Sequence, residues 1–190
     1  MKSTNLLRKT INCATFLMLA MVVSGCAEFG RVNGGGWLEN HGGGGTSNFG
    51  FNANGCDAVK VDHEWVGIKG RFNFIDQSAY DEESYPKGGV KIHGTVTGVA
   101  ECEGDVLPFE CNFCEGGYAI RVDYDSTNPF ARGNGQAKVC VYDNGEGINA
   151  VRSDWLKIFV MSGPFEGYYN GGYTYGNIQA KACKLEDEEI

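Results

Sequence analysis

Strict alternation of apolar and polar residues recurs along most of this chain, and it limits the folds open to it. Tyr118, Ile120, Val122 and Tyr124 alternate with Arg121, Asp123 and Asp125. Val90, Ile92, Gly94, Val96, Gly98, Ala100 and Cys102 alternate with Lys91, His93, Thr95 and Thr97. The same period of two places Val66, Ile68, Gly70, Phe72 and Phe74 on one face, and Phe49 with Phe51 on another. It returns in Val139-Val141, Leu156-Ile158-Val160 and Ile178-Ala180-Ala182. Successive side chains of a strand point to opposite faces, so each run predicts a strand with one face in a core. No stretch carries a persuasive helical stripe.

Turn-forming clusters separate the runs at Gly42–Gly45, Asp81–Gly89, Ser126–Gly135 and Asp143–Gly147. About eight to ten short strands joined by Gly-rich turns predict an all-β fold of antiparallel sheets. A β-sandwich, jelly-roll-like or Ig-like, is the expected architecture, with a small barrel as the alternative. Gly70, Gly94 and Gly98 lie inside strands and predict bulges or close contacts.

The first 25 residues read differently. Lys2, Arg8 and Lys9 precede an apolar run, Ile11–Val23, broken only by Asn12 and Thr15. That run is shorter than the roughly 20 apolar residues that span a bilayer, so it reads as an export signal. Val23-Ser24-Gly25-Cys26 then has the form of a bacterial lipobox. It predicts cleavage before Cys26 and lipidation of its thiol, an anchor that holds the chain permanently at a membrane. Ala27 stands in place of an aspartate, and similarity to the sorted lipoproteins of Gram-negative bacteria then favours the outer membrane. The expected organisation is a signal over 1–25, a tether over 26–35, a β-domain over 36–183 and a disordered acidic tail over 184–190.

Residues 26–190 hold 13 basic and 24 acidic residues, a net charge of −11. Such a chain repels nucleic acid and anionic lipid headgroups. Six cysteines remain in the expected mature domain: Cys56, Cys102, Cys111, Cys114, Cys140 and Cys183. An even number in an exported chain predicts disulfides, with the pairing left open.

Two segments, taken in order, resemble a known module. The first runs from Val32-Asn33-Gly34-Gly35-Gly36-Trp37 through Phe49-Gly50-Phe51 to Lys69–Asp76. The second runs from Val139–Gly147 through Asp154–Ile158 to Gly171-Gly172 and Gly176–Gln179. Together they resemble the β-rich post-COAP domain, which follows choice-of-anchor-P regions in bacterial surface proteins. The resemblance implies an extracytoplasmic β-sandwich-like module without established catalytic activity. The chain departs from the pattern in its six cysteines, in the insertion Cys102–Gly117 and in the longer loop Gly147–Asp154.

Four groups are candidate sites. Tyr168, Tyr169, Tyr173 and Tyr175 crowd around Gly171-Gly172 and, with Trp65 or Trp155, can form an aromatic platform for a glycan or an envelope protein. The same tyrosines also suit cross-strand packing. Asp143, Glu146 and Asp154 offer oxygen ligands to Ca²⁺ on a glycine-rich turn, although the spacing is not that of an EF-hand. Cys111 and Cys114 have redox or zinc spacing, but Glu110 and Glu115 would raise their thiol pKa, and a structural disulfide is the simpler reading. His41, His63 and His93 lack metal-ligand spacing. No catalytic motif appears, and Asp123 with Asp125 reads as a solvated strand face. The expected role is a non-catalytic binding or structural module, with a carbohydrate- or calcium-binding adhesion module and an envelope hydrolase as the two alternatives.

Overall fold

The computed structural model describes residues 30–40, 44–61, 64–79, 86–102, 112–145 and 154–183. The export segment with Cys26, the loops holding His41, His63, Cys111 and Glu146, and the acidic tail lie outside them. So does the side chain of Trp65.

Among the described residues ten strands form, with no α-helix. They are β1 (Gly30–Glu39), β2 (Thr46–Asn54), β3 (Val59–Val61), β4 (Glu64–Val66) and β5 (Lys69–Asp76). Then come β6 (Val90–Glu101), β7 (Tyr118–Ser126), β8 (Asn134–Tyr142), β9 (Trp155–Val160) and β10 (Tyr169–Ala182). Eight of them close an antiparallel barrel in the order β1-β10-β9-β8-β7-β6-β5-β2, while β3 and β4 form a separate hairpin.

The all-β expectation therefore holds, but the sandwich is replaced by its alternative, the barrel. Alternation specifies which face of a strand is buried. It does not specify whether the outermost strands meet. Here they do: β1 pairs with β10 from Gly30↔Ala182 to Leu38↔Thr174, which removes both sheet edges.

β1 also corrects the expected tether, because residues 30–35 are strand. Glycine costs entropy in a strand, which is why Gly34-Gly35-Gly36 reads as a linker. The barrel uses that run for close approach: a Cβ on Gly36 would lie 2.6 Å from the Tyr175 carbonyl oxygen and 2.8 Å from the Gly176 Cα. At Gly94 an added Cβ would lie 2.2 Å from Val122 Cγ1.

The barrel interior is solid. Phe49, Phe51, Phe72, Phe74, Tyr124 and Phe165 fill it together with aliphatic side chains from every barrel strand except β5. Outward positions on β5, β6 and β7 carry Arg71, Asn73, His93, Thr95, Arg121 and Asp123, all exposed. On this wall an apolar inside and a charged outside are the reverse of a lipid-embedded barrel.

One expected face is broken. The β6–β7 register shifts between Val96 and Gly98, so Val96 pairs with Val122 and Gly98 with Arg121. This bulge reverses the phase of the strand. Val99 then points into the core, while Ala100 and Cys102 join Cys114, Ala119 and Cys140 in a second apolar cluster. A disulfide joins Cys114 to Cys140, so Cys114 is not bridged to Cys111. A second joins Cys56 to Cys183 across 127 residues, and Cys102 is disulfide-bonded as well.

Candidate ligand-binding face

The outer wall formed by β8, β9, β10 and β1 differs from the charged wall opposite. In β9, Leu156, Ile158 and Val160 are buried, so Trp155, Lys157 and Phe159 face outward. In β8 the buried Val139 and Val141 leave Lys138, Cys140 and Tyr142 on the outer face. Register then builds a row. Tyr142 lies opposite Trp155, Trp155 opposite Tyr173, and Tyr175 opposite Trp37.

The rings touch. Tyr142 and Trp155 meet edge to face at 5.5 Å between centroids, and Trp37 stacks on Tyr175 at 4.0 Å with planes 8° apart. Tyr173 and Tyr175 are 59% and 53% exposed, high values for large rings in a closed barrel. Tyr142, Asn144, Trp155 and Tyr173 line an open depression of about 290 Å³.

Below this row lies a basic cluster. Lys157 Nζ sits 4.5 Å from the Phe113 ring centroid and 5.4 Å from that of Trp155. Lys138 Nζ sits 4.7 Å from Phe113 and 5.4 Å from Phe159. Cation–π contacts of this kind hold ammonium groups over ring faces. Desolvation, and next the neighbouring Lys138 charge, lower the Lys157 pKa. Gly171 pairs with Lys157, and a Cβ there would lie 2.7 Å from the Lys157 Cβ, so glycine gives the lysine its room. Desolvation, and then Glu115, raise the pKa of Tyr142, whose hydroxyl donates to the Glu115 carbonyl at 2.9 Å.

The four candidate tyrosines separate. Tyr169, Tyr173 and Tyr175 share the outer face of β10. Tyr168 does not, and its place on the platform is corrected: it is 3% exposed inside the barrel. Its hydroxyl donates to Asp76 Oδ2 at 2.7 Å, and burial drives its pKa strongly up. Asp76 Oδ1 accepts from Asn40 Nδ2, the Ser78 hydroxyl and the backbone N–H groups of Ser78 and Ala79. Asn170 Nδ2 donates to Asn40, Ser47 and Tyr168. This network plugs one end of the barrel with satisfied polar groups.

Asp143 and Asp154 come together as supports for β10. Asp154 Oδ2 accepts the Ile178 N–H at 2.6 Å, and Asp143 Oδ2 accepts the Ala180 N–H at 2.8 Å. The β9–β10 pairing runs only over Tyr169–Tyr173 of β10, so these carboxylates take over beyond the end of the ladder. Among the described residues no group of three or more His, Cys, Asp or Glu side chains is placed to hold a metal. His93 is exposed and pairs through Nδ1 with Asn73 Oδ1, and Asp123 on β7 accepts from Gln136 Nε2 on the neighbouring β8.

Sequence reasoning omitted Trp37, Phe113, Lys138, Tyr142, Lys157 and Phe159 from the site. Four of them were legible as the phase opposite to the core runs Val139-Val141 and Leu156–Val160. No known protein family, curated protein or solved structure matches this chain.

Proposed function

We propose that this protein is a lipid-anchored, non-catalytic binding module of the bacterial outer membrane, held by Cys26 and working through the wall of its barrel. The observation that carries the reading is the outward aromatic row Tyr142–Trp155–Tyr173–Tyr175–Trp37, with Tyr173, Tyr175 and Trp37 exposed and Tyr142 and Trp155 half-buried, on a barrel whose interior is already full. Large rings left in water on one wall are the usual mark of a surface that another molecule covers. The lipobox supplies the membrane anchor, and the resemblance to post-COAP domains supplies an extracytoplasmic setting. A binding role also agrees with the employment of Asp76, Asp143 and Asp154, each of which accepts structural hydrogen bonds.

Site-specific photocrosslinking in cells tests the reading. A benzophenone side chain replaces Tyr173 on the aromatic wall or, separately, Arg71 on the opposite wall. The expected result is an envelope adduct from position 173 and none from position 71. Equal adducts from both, or adducts from position 71 alone, would remove the wall as the working surface.

A further inference from the structure

We infer that the β8–β9–β10–β1 wall binds an acidic polysaccharide, its sugar rings stacked on the aromatic row and its carboxylates paired with Lys138 and Lys157. This rests on the binding-module reading and names the ligand class for that wall.

Three observations carry it. The first is shape. A pyranose presents C–H groups on its faces and hydroxyls on its edges, so it suits flat rings bordered by amides. The row supplies such rings on strands about 4.8 Å apart. Asn144 borders the depression beside Trp155 and Tyr173, and exposed Asn48 lies opposite Trp37.

Charge is the second. Over residues 26–190 the chain carries a net −11, which opposes any polyanion unless positive charge is gathered locally. Lys138 and Lys157 are gathered here, both over the Phe113 ring. Among the described residues neither makes a salt bridge with a carboxylate, whereas Lys69 does, with Asp57 at 3.7 Å. Two neighbouring ammonium groups repel, and an anion between them relieves that repulsion.

The third is position. A chain anchored at Cys26 enters the barrel at Gly30, and Trp37 lies seven residues further along β1, roughly 23 Å for an extended strand. That places the row away from the anchored end, toward polymers in water rather than lipid headgroups.

Calorimetry on the full mature chain in lipid nanodiscs tests this, with hexagalacturonate and its methyl ester as matched probes. The acid is expected to bind, with the ester at least tenfold weaker. W155A, Y173A and the double variant K138Q/K157Q should each weaken the acid at least tenfold while keeping the wild-type circular dichroism. Equal binding of acid and ester would overturn the role of the lysines. Binding of neither, while position 173 still crosslinks in cells, would overturn the glycan assignment and leave the binding-module reading standing. Quenching of Trp155 by brominated lipid would also overturn it, because the wall would then lie on the membrane.

Discussion

The Tyr168 hydroxyl donates to Asp76 Oδ2 at 2.7 Å and so joins β5 to the start of β10, 92 residues later in the chain. Both groups are almost fully buried, and Asp76 gathers five hydrogen bonds in all. The pair fixes how one end of the barrel closes. Removing the hydroxyl leaves a buried carboxylate oxygen without that donor. Y168F is therefore expected to lower stability by about 1–3 kcal/mol. Urea unfolding measures this, and an unchanged midpoint would show that the contact adds nothing.

The same pair sets an alkaline limit. Burial, followed by the hydrogen bond to Asp76, raises the Tyr168 pKa above its ordinary value of 10.0. The folded state thus holds a proton that the unfolded chain releases first. Stability from this group is fully present below pH 10.0 and falls as pH rises beyond it, by up to about 1.4 kcal/mol per pH unit. Unfolding at pH 8 to 11 should show a shallower loss for Y168F than for the wild type. Parallel curves would assign the alkaline limb elsewhere, for instance to Tyr124, which burial also raises.

Asp154 substitutes for a missing ladder partner. Its carboxylate accepts from the Ile178 and Asn144 N–H groups, the first of these bonds being buried. D154A strands those donors and is expected to cost about 2–6 kcal/mol, taking roughly 1–3 for each unsatisfied group. D143A loses a more exposed bond to Ala180 and should cost about 1 kcal/mol. Faster amide exchange at Ile178 in D154A gives the local check, and unaltered protection there would count against the substitution.

The Cys56–Cys183 bridge closes a loop with a sequence separation of 127 and links the chain just after β2 to the end of β10. Loop-closure entropy gives it about 4–5 kcal/mol, against about 3–4 for Cys114–Cys140, whose separation is 26. The double variant C56S/C183S should therefore lower Tm more than C114S/C140S does. The opposite order would mean that the apolar cluster around Cys114 and Cys140 outweighs chain entropy.

Much of this was legible in the alternation. The inward residues of β7, β8 and β9 follow it without exception from Ile120 to Tyr124 and from Leu156 to Val160. Closure was not legible, because pairing of β1 with β10 depends on residues more than 130 positions apart, and Gly34-Gly35-Gly36 looks like a linker when read alone. The bulge near Thr97 was hidden for a similar reason: one extra residue reverses the phase, yet Ala100 and Cys102 still look apolar. Tyr168 was misplaced because four neighbouring tyrosines read as one group, whereas strand parity sends Tyr168 inward and Tyr169, Tyr173 and Tyr175 outward. Lys138 and Lys157 carry no signal of a shared site in the sequence, because only the fold brings both over the Phe113 ring.

The central claim is that the outside of this barrel, and not its filled interior, is the working surface. Amide and indole chemical shifts of the mature chain, followed by NMR during titration with hexagalacturonate, test it most directly. The account predicts that the largest shifts fall on Trp155, Lys157, Tyr173 and Tyr175. Largest shifts at the inward-facing Tyr124, Phe165 and Tyr168 would contradict it.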